Sequence, residues 1–229
     1  MAHITWGIII ACGKSEQLAA GADIAFLSPD NNPVLSFSLT AFERCPEIDG
    51  VVIVVEKEKI EIVVNMVRLY GCTKVRRVVG GTTQRFGSLQ NGLKALDETV
   101  SLVSIHDVSR PCVSPDLVSE TVRAAKRYGS GVAAVRVEDA IKEVDKGQKV
   151  SKSHDKSKLW ETQTPQTFKR DLIQKGIESA HKNKQILDDD SQALSLMNID
   201  IHLVPSTTTN MKIRTADDIV VVSSLLKVI

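Results

Sequence analysis

The sequence predicts an α/β chain with a doubly wound, mainly parallel sheet and a protruding β-arm. Three observations carry that reading. Short aliphatic runs alternate with helical patterns from residue 1 to about 135, the signature of right-handed βαβ crossovers. Hydrophobic residues are 42% but aromatics only 4%, so the core is aliphatic, as suits Val/Ile-rich parallel strands. At about Val137 the pattern changes to a charged, weakly alternating stretch.

Element by element, Ile4–Ile10 reads as a buried strand. Pro33–Arg44 reads as a helix, with Asn32 as N-cap and Pro33 at its first position. Gly50–Val55 is a second strand, and Lys57–Leu69 a helix closed by Gly71. Lys74–Val79 is a third strand and Thr83–Leu96 a helix. Ser101–Ile105 is a fourth strand. Ser114–Tyr128 is a helix capped by Ser114 and ended by Gly129, and Gly131–Val135 is a fifth strand. Residues 138–160, with apolar Ile141, Val144 and Val150, read as a hairpin that leaves the body. Lys169–His181 and Asp189–Met197 read as helices and Ile199–Val204 as a strand. Thr215–Leu226 is a last helix with Thr215 as N-cap. One domain spans 1–229.

Composition narrows the function. Lys+Arg is 29 and Asp+Glu 28, a formal charge of +1, so no electrostatic footprint points to nucleic acid or an anionic membrane. Cys12, Cys45, Cys72 and Cys112 form no CxxC pair and read as buried reduced thiols. The five histidines form no HExxH motif. No basic leader or apolar stretch long enough to span a bilayer is seen, which points to the cytoplasm.

In a doubly wound sheet the ligand sits beyond the C-terminal ends of the strands. The loop after the first strand is Ala11-Cys12-Gly13-Lys14-Ser15. It lacks the first glycine of a P-loop, so it is either a backbone cradle for phosphate or a tight turn with one exposed Lys. Gly80-Gly81-Thr82-Thr83-Gln84-Arg85, followed by Ser88, either meets a base or only caps a helix through Thr82 or Thr83. Arg85 there reads as a surface charge. In His106-Asp107-Val108-Ser109-Arg110-Pro111, Asp107 is placed to hold Mg²⁺ through one carboxylate, and Arg110 to grip a phosphate. The bland alternative is an Asp–Arg pair tying the loop. The run Asp188-Asp189-Asp190 reads as serving a helix dipole. Lys212 would add positive charge to an anion site beside the last helix.

These motifs, in this order, resemble the 2-C-methyl-D-erythritol 4-phosphate cytidylyltransferase family. The specific strings are His106-Asp107…Arg110-Pro111 and Thr164-Pro165-Gln166, with Asp139…Lys142 and Asn210-Met211-Lys212 beside them. The resemblance implies a Rossmann-like nucleotidyltransferase fold whose arm makes a homodimer. It implies transfer of CMP from CTP to a polyol phosphate, with Mg²⁺ as cofactor and pyrophosphate released. By that resemblance Ala11, Cys12, Gly13, Gly81, Thr83 and Ser88 bind the nucleotide. Asp107 holds the metal. Arg110, Asp139, Lys156 and Thr164 bind substrate, Lys156 in the partner's site. Lys212 acts in catalysis. The family's first loop runs Ala-Ala-Gly-x-Gly-x-Arg, with a Pro-Lys pair further on. Here Ser15, Gln17, Asp23 and Ile24 occupy those places, leaving Lys14 as the loop's own cation. The family Arg of the arm is Lys156, the Thr after the arm's Asp is Ala140, and an Asp of the cytosine loop is Thr83. The alternatives are a related transferase for another polyol or sugar phosphate, and a paralogue that keeps the fold with impaired catalysis.

Overall fold

The structure is a computed structural model that describes residues 3–19 and 21–228. Its first half runs β1 (Ile4–Ala11), α1 (Val34–Arg44), β2 (Gly50–Val55), α2 (Ile60–Leu69), β3 (Val75–Gly80), α3 (Arg85–Lys94), β4 (Val100–Asp107) and α4 (Pro115–Tyr128). Then come β5 (Ser130–Arg136), the arm strands β6 (Lys142–Val144) and β7 (Val150–Ser153), and β8 (Trp160–Lys169). The chain ends through α5 (Arg170–Lys182), α6 (Gln192–Ser195), β9 (Leu203–Pro205) and α7 (Ala216–Leu226). Seven strands form one sheet in the order β3-β2-β1-β4-β8-β5-β9. All neighbours are parallel except β8, which runs antiparallel to both β4 and β5.

The side-chain period of two splits the strands between two cores. Ile9, Val51, Ile53 and Val55 pack with Leu39 and Phe42 of α1 and Val118 and Val122 of α4. Ile8, Ile10, Val52 and Val54 pack with Leu89 and Leu93 of α3 and Ile173 and Ile177 of α5. Both faces are covered, so β2 is buried along its whole length.

Helix ends follow their capping chemistry where the sequence offers it. Ser114 Oγ accepts from Leu117 N at 3.1 Å, Pro115 takes the first position, and Gly129 closes α4 at φ 91°. Thr215 and Asp218 form a reciprocal capping box on α7.

Several expectations are corrected. Asn32 does not cap α1: its side chain bonds Asp30 O and Tyr70 Oη, and Pro33 holds the cap position. Neither Thr82 nor Thr83 caps α3, whose N-cap is Gln84. The helix expected over Asp189–Met197 shrinks to Gln192–Ser195, and the strand over Ile199–Val204 to Leu203–Pro205. The largest miss is β8, read from sequence as a motif and not as a strand. It is polar and carries Pro165, both poor marks for a central strand. The ladders explain it, because Gln163–Pro165 have no register partner on either neighbour. The arm does leave the body: β6 and β7 pair only with each other.

Candidate active site

The C-terminal ends of β1 and β4 lie side by side, with Ile10 opposite Asp107. Three loops meet there. The first leaves β1 through Gly13, whose φ of +100° is one that glycine reaches without strain. Lys14 N then donates to Thr83 O at 3.2 Å, docking the first loop on the second. Beneath that contact Cys12 Sγ donates to Ser88 Oγ at 3.2 Å. A Cβ at Gly81 would lie 2.1 Å from Cys12 Sγ, so only glycine fits. Ser88 is fully buried and accepts from Thr82 N at 2.9 Å. Its hydroxyl holds the loop in place, leaving the loop's outer edge, including Thr83, to meet solvent or ligand. Burial raises the Cys12 pKa, and the thiol packs against the Ser88 hydroxyl beneath the loop.

Asp107 ends β4 almost fully buried. Its Oδ1 accepts from Arg85 Nε and its Oδ2 from Lys212 Nζ, both at 2.8 Å. Its backbone N donates to Thr164 Oγ1 at 3.0 Å, and that hydroxyl lies 3.1 Å from His106 Nδ1. Burial alone would raise the Asp107 pKa; the Arg85 and Lys212 charges overcome it and hold the carboxyl well below the usual range. Burial pushes His106 down to about 3, so its imidazole is neutral at pH 7.

Arg85 is therefore no surface charge. Its guanidinium forks onto Asp190, Nη1 to Oδ1 at 2.6 Å and Nη2 to Oδ2 at 2.8 Å, while Nε serves Asp107. Burial would lower its pKa, but Asp107 and Asp190 together raise it. The acidic run likewise divides its work. Asp190 is this buried partner, and Asp189 accepts from Gln192 N at 3.0 Å at the start of α6.

Glu16, unflagged by any motif, is 1% exposed. Its Oε1 accepts from Lys212 Nζ at 2.8 Å and its Oε2 from Ser109 N at 3.0 Å. Burial and the Asp107 carboxylate raise its pKa, with the Lys212 ammonium pulling the other way. For Lys212, burial acts downward and the two carboxylates win, so its pKa is raised.

Arg110 is also buried. One Nη donates to Asn210 O at 2.8 Å, while its Nε has no partner. Asn210 in turn donates to Gln163 Oε1 and Thr164 O, each at 2.9 Å, pinning the 210–214 segment to β8. Burial lowers the Arg110 pKa; Asp107 opposes that and the nearby Arg214 charge adds to it. An open cavity of about 420 Å³ results, with Lys14, Arg85, Arg110, Lys212 and Arg214 on its wall beside Asp107 and Thr164. A second cavity of about 610 Å³ adjoins it across Lys14 and Arg85, between the 82–90 segment and α5.

The two altered loop positions have specific surroundings. Gln17 Nε2 donates to Asp23 Oδ1 at 2.8 Å and Glu56 Oε1 at 3.0 Å. Ile24 is fully buried in the core, so that place offers no seat for a cation. Asp139 and Lys156 sit on the exposed arm and do not line the cavity of their own chain; Lys156 Nζ donates to Glu138 O. Ala11, Cys12, Gly13, Gly81, Ser88, Asp107, Arg110, Thr164 and Lys212 are gathered at one sheet end. Asn210, from the Asn210-Met211-Lys212 string, and Asp190, from the acidic run, join them, and Glu16 and Arg214 do so without any motif to announce them.

An α/β sheet with a cation-lined cavity beyond its strand ends, built on a nucleotidyltransferase-like topology, defines the class. A model of the 2-C-methyl-D-erythritol 4-phosphate cytidylyltransferase family matches residues 5–227, and the chain belongs to that family. The enzyme of that name from Alkaliphilus oremlandii is 30% identical over 221 residues, covering 96% of this chain and 94% of its own. One from Dehalococcoides mccartyi is 34% identical over 221 residues, with 96% and 95% covered. Among solved structures, 4-diphosphocytidyl-2C-methyl-D-erythritol synthase from Anaerococcus prevotii superposes with a TM-score of 0.88 at 28% identity, covering 98% of this chain and 96% of that one.

Proposed function

We propose that this chain transfers CMP from CTP to 2-C-methyl-D-erythritol 4-phosphate and releases pyrophosphate, a step of isoprenoid precursor synthesis. The observation that carries the reading, beside family membership, is the set of five cations on one cavity wall next to a buried, ionised Asp107. The acceptor's phosphate oxygen attacks the α-phosphorus in line, and the bond to the β,γ-diphosphate breaks. A phosphate oxygen is already anionic at neutral pH, so no general base is required. Positioning and charge stabilisation do the work.

Lys212 and Lys14 face the triphosphate, and Arg110 with Thr164 the acceptor. The 81–83 edge and the 11–13 backbone meet the nucleoside. Asp107 is the residue to hold Mg²⁺. Among the described residues no cluster of three or more acidic, His or Cys groups makes a protein cage. One carboxylate with phosphate oxygens and water completing the shell suits this ion. Bound there, it would neutralise charge developing on the phosphates. The arm supplies Asp139 and Lys156 to the site of a second copy, in a homodimer. The four unpaired, buried thiols suit a reducing cytoplasm.

Pyrophosphate release from CTP, Mg²⁺ and methylerythritol phosphate, beside CTP calorimetry, tests this. Expected is turnover that needs all three. Ala140 and Lys156 on the arm favour a second reading, another polyol phosphate as acceptor. CTP binding with turnover only on a different phosphate would support that reading. Neither binding nor turnover would overturn both.

A further inference from the structure

Glu16 joins three segments that are remote in sequence. Its carboxylate takes Ser109 N at 3.0 Å, 93 residues away, and Lys212 Nζ at 2.8 Å, 196 residues away. Lys212 thereby sits between two carboxylates, and only 12% of its side chain is exposed. The two are not equivalent. Asp107 is shared with Arg85 and is the group read above as metal-binding, whereas among the described residues Glu16 has no other cationic partner within ion-pair distance. A ligand drawn to Asp107 would leave Glu16 as the remaining anchor of the ammonium.

The arrangement has a cost. A fully buried carboxylate beside a phosphate cavity repels the nucleotide, and buried ion pairs are often no more stabilising than apolar packing of the same volume. Stability alone therefore gives little reason to keep Glu16. Its bonds do one further thing: they fix where the Lys212 ammonium points while bracing the loop after β1 against the loop after β4.

We propose that Glu16 is a positioning residue that sets the Lys212 ammonium for the transition state at some expense of CTP affinity. The inference rests on the reading of Lys212 as phosphate-facing. Glu16→Gln keeps the size and the acceptor for Ser109 N but turns the Lys212 contact into donor against donor. The expected result is a fall in kcat of about 10²-fold, the scale of one lost charge-stabilising contact. The Kd for CTP should fall a few-fold at the same time, because Lys212 is freed and the repulsion removed. Glu16→Asp, one methylene shorter, should recover part of kcat. In a Lys212→Ala background Glu16→Gln should do nothing more to kcat, and should tighten CTP binding by a different factor than with Lys212 present.

A loss of kcat and of CTP affinity together, tracking a lower Tm, would make Glu16 a structural brace and overturn the proposal. So would an equal effect of Glu16→Gln with and without Lys212. If Glu16→Gln does not fold, Glu16→Asp carries the same cycle. Absence of turnover in the parent protein would sink the cytidylyltransferase reading instead. CTP affinity would then still decide Glu16: a tightening by Glu16→Gln that changes when Lys212 is removed supports it, and an equal tightening or none overturns it.

Discussion

Around Asp107, charged groups sit where water hardly reaches: side-chain exposure is 0% for Glu16 and Asp190, 8% for Asp107, 12% for Lys212 and 15% for Arg85. In the arm, residues 138–158 are all exposed except His154, which is half-buried. Both regions are rich in Lys, Asp and Glu, yet their charges obey different arithmetic. At the sheet end Glu16, Asp107 and Asp190 each have a cation within 2.8 Å, and removing one partner strands another charge in a low dielectric. In the arm, the contact of His154 Nε2 with Glu143 Oε2 at 3.1 Å lies in solvent and holds little together. A free two-stranded hairpin is marginal in water, and Ile141, Val144 and Val150 stand out from this one half exposed. The sheet end carries its order within itself, while the arm strands pair only with each other.

That contrast can be broken or sharpened by substitution. The largest effect is expected from Arg85→Met, which strands Asp190 and half of Asp107: about 4 kcal/mol of stability, read by urea unfolding. Asp107→Asn should cost turnover 10²- to 10³-fold and weaken Mg²⁺-dependent CTP binding. Unchanged affinity in calorimetry would remove its metal role. Ile24→Lys, which puts an ammonium where the family has its Lys, should cost on the order of 3 kcal/mol because that place is core. A cation at 17 behaves oppositely. Gln17→Arg meets two waiting carboxylates, Asp23 and Glu56, so the fold should not suffer and turnover should rise roughly tenfold. Smallest in the monomer are Val144→Lys and Val150→Lys, within about 0.5 kcal/mol. They should nevertheless lower the mass seen by sedimentation if the arm makes the dimer; an unchanged mass would remove that role.

Much of the fold was legible in the sequence because it is written locally. Gly50–Val55 announces a strand buried on both faces, and Ser114-Pro115 with Gly129 brackets a helix. The His106-Asp107…Arg110 string marks a strand end where a ligand belongs. β8 was hidden because its slot is made by β4 and β5, and neither its polarity nor Pro165 says so. Arg85 looked like any helix-surface Arg, since its partners lie 22 and 105 residues away. Glu16 had no signal for the same reason: an ion pair across 196 residues leaves no period or spacing to read. Nor does the sequence tell position 17 from position 24, where the family's Arg and Lys are both replaced; the burial of Ile24 and the carboxylates beside Gln17 separate them.

The insertion of β8 between β4 and β5 also sets a timetable. Translation delivers β1 to β4 and α4 early, and these can pair as parallel neighbours while the slot beside β4 stands vacant. The strand that fills it arrives only after the chain has gone out through the arm and come back. Lys212 follows later still, so Glu16 waits 196 residues and Asp107 105 for the ammonium that joins them. Closing contacts of that span is slow and entropically dear. A nascent chain halted before residue 212 would lack the cation that completes the cluster, so the charge balance at the sheet end is set last.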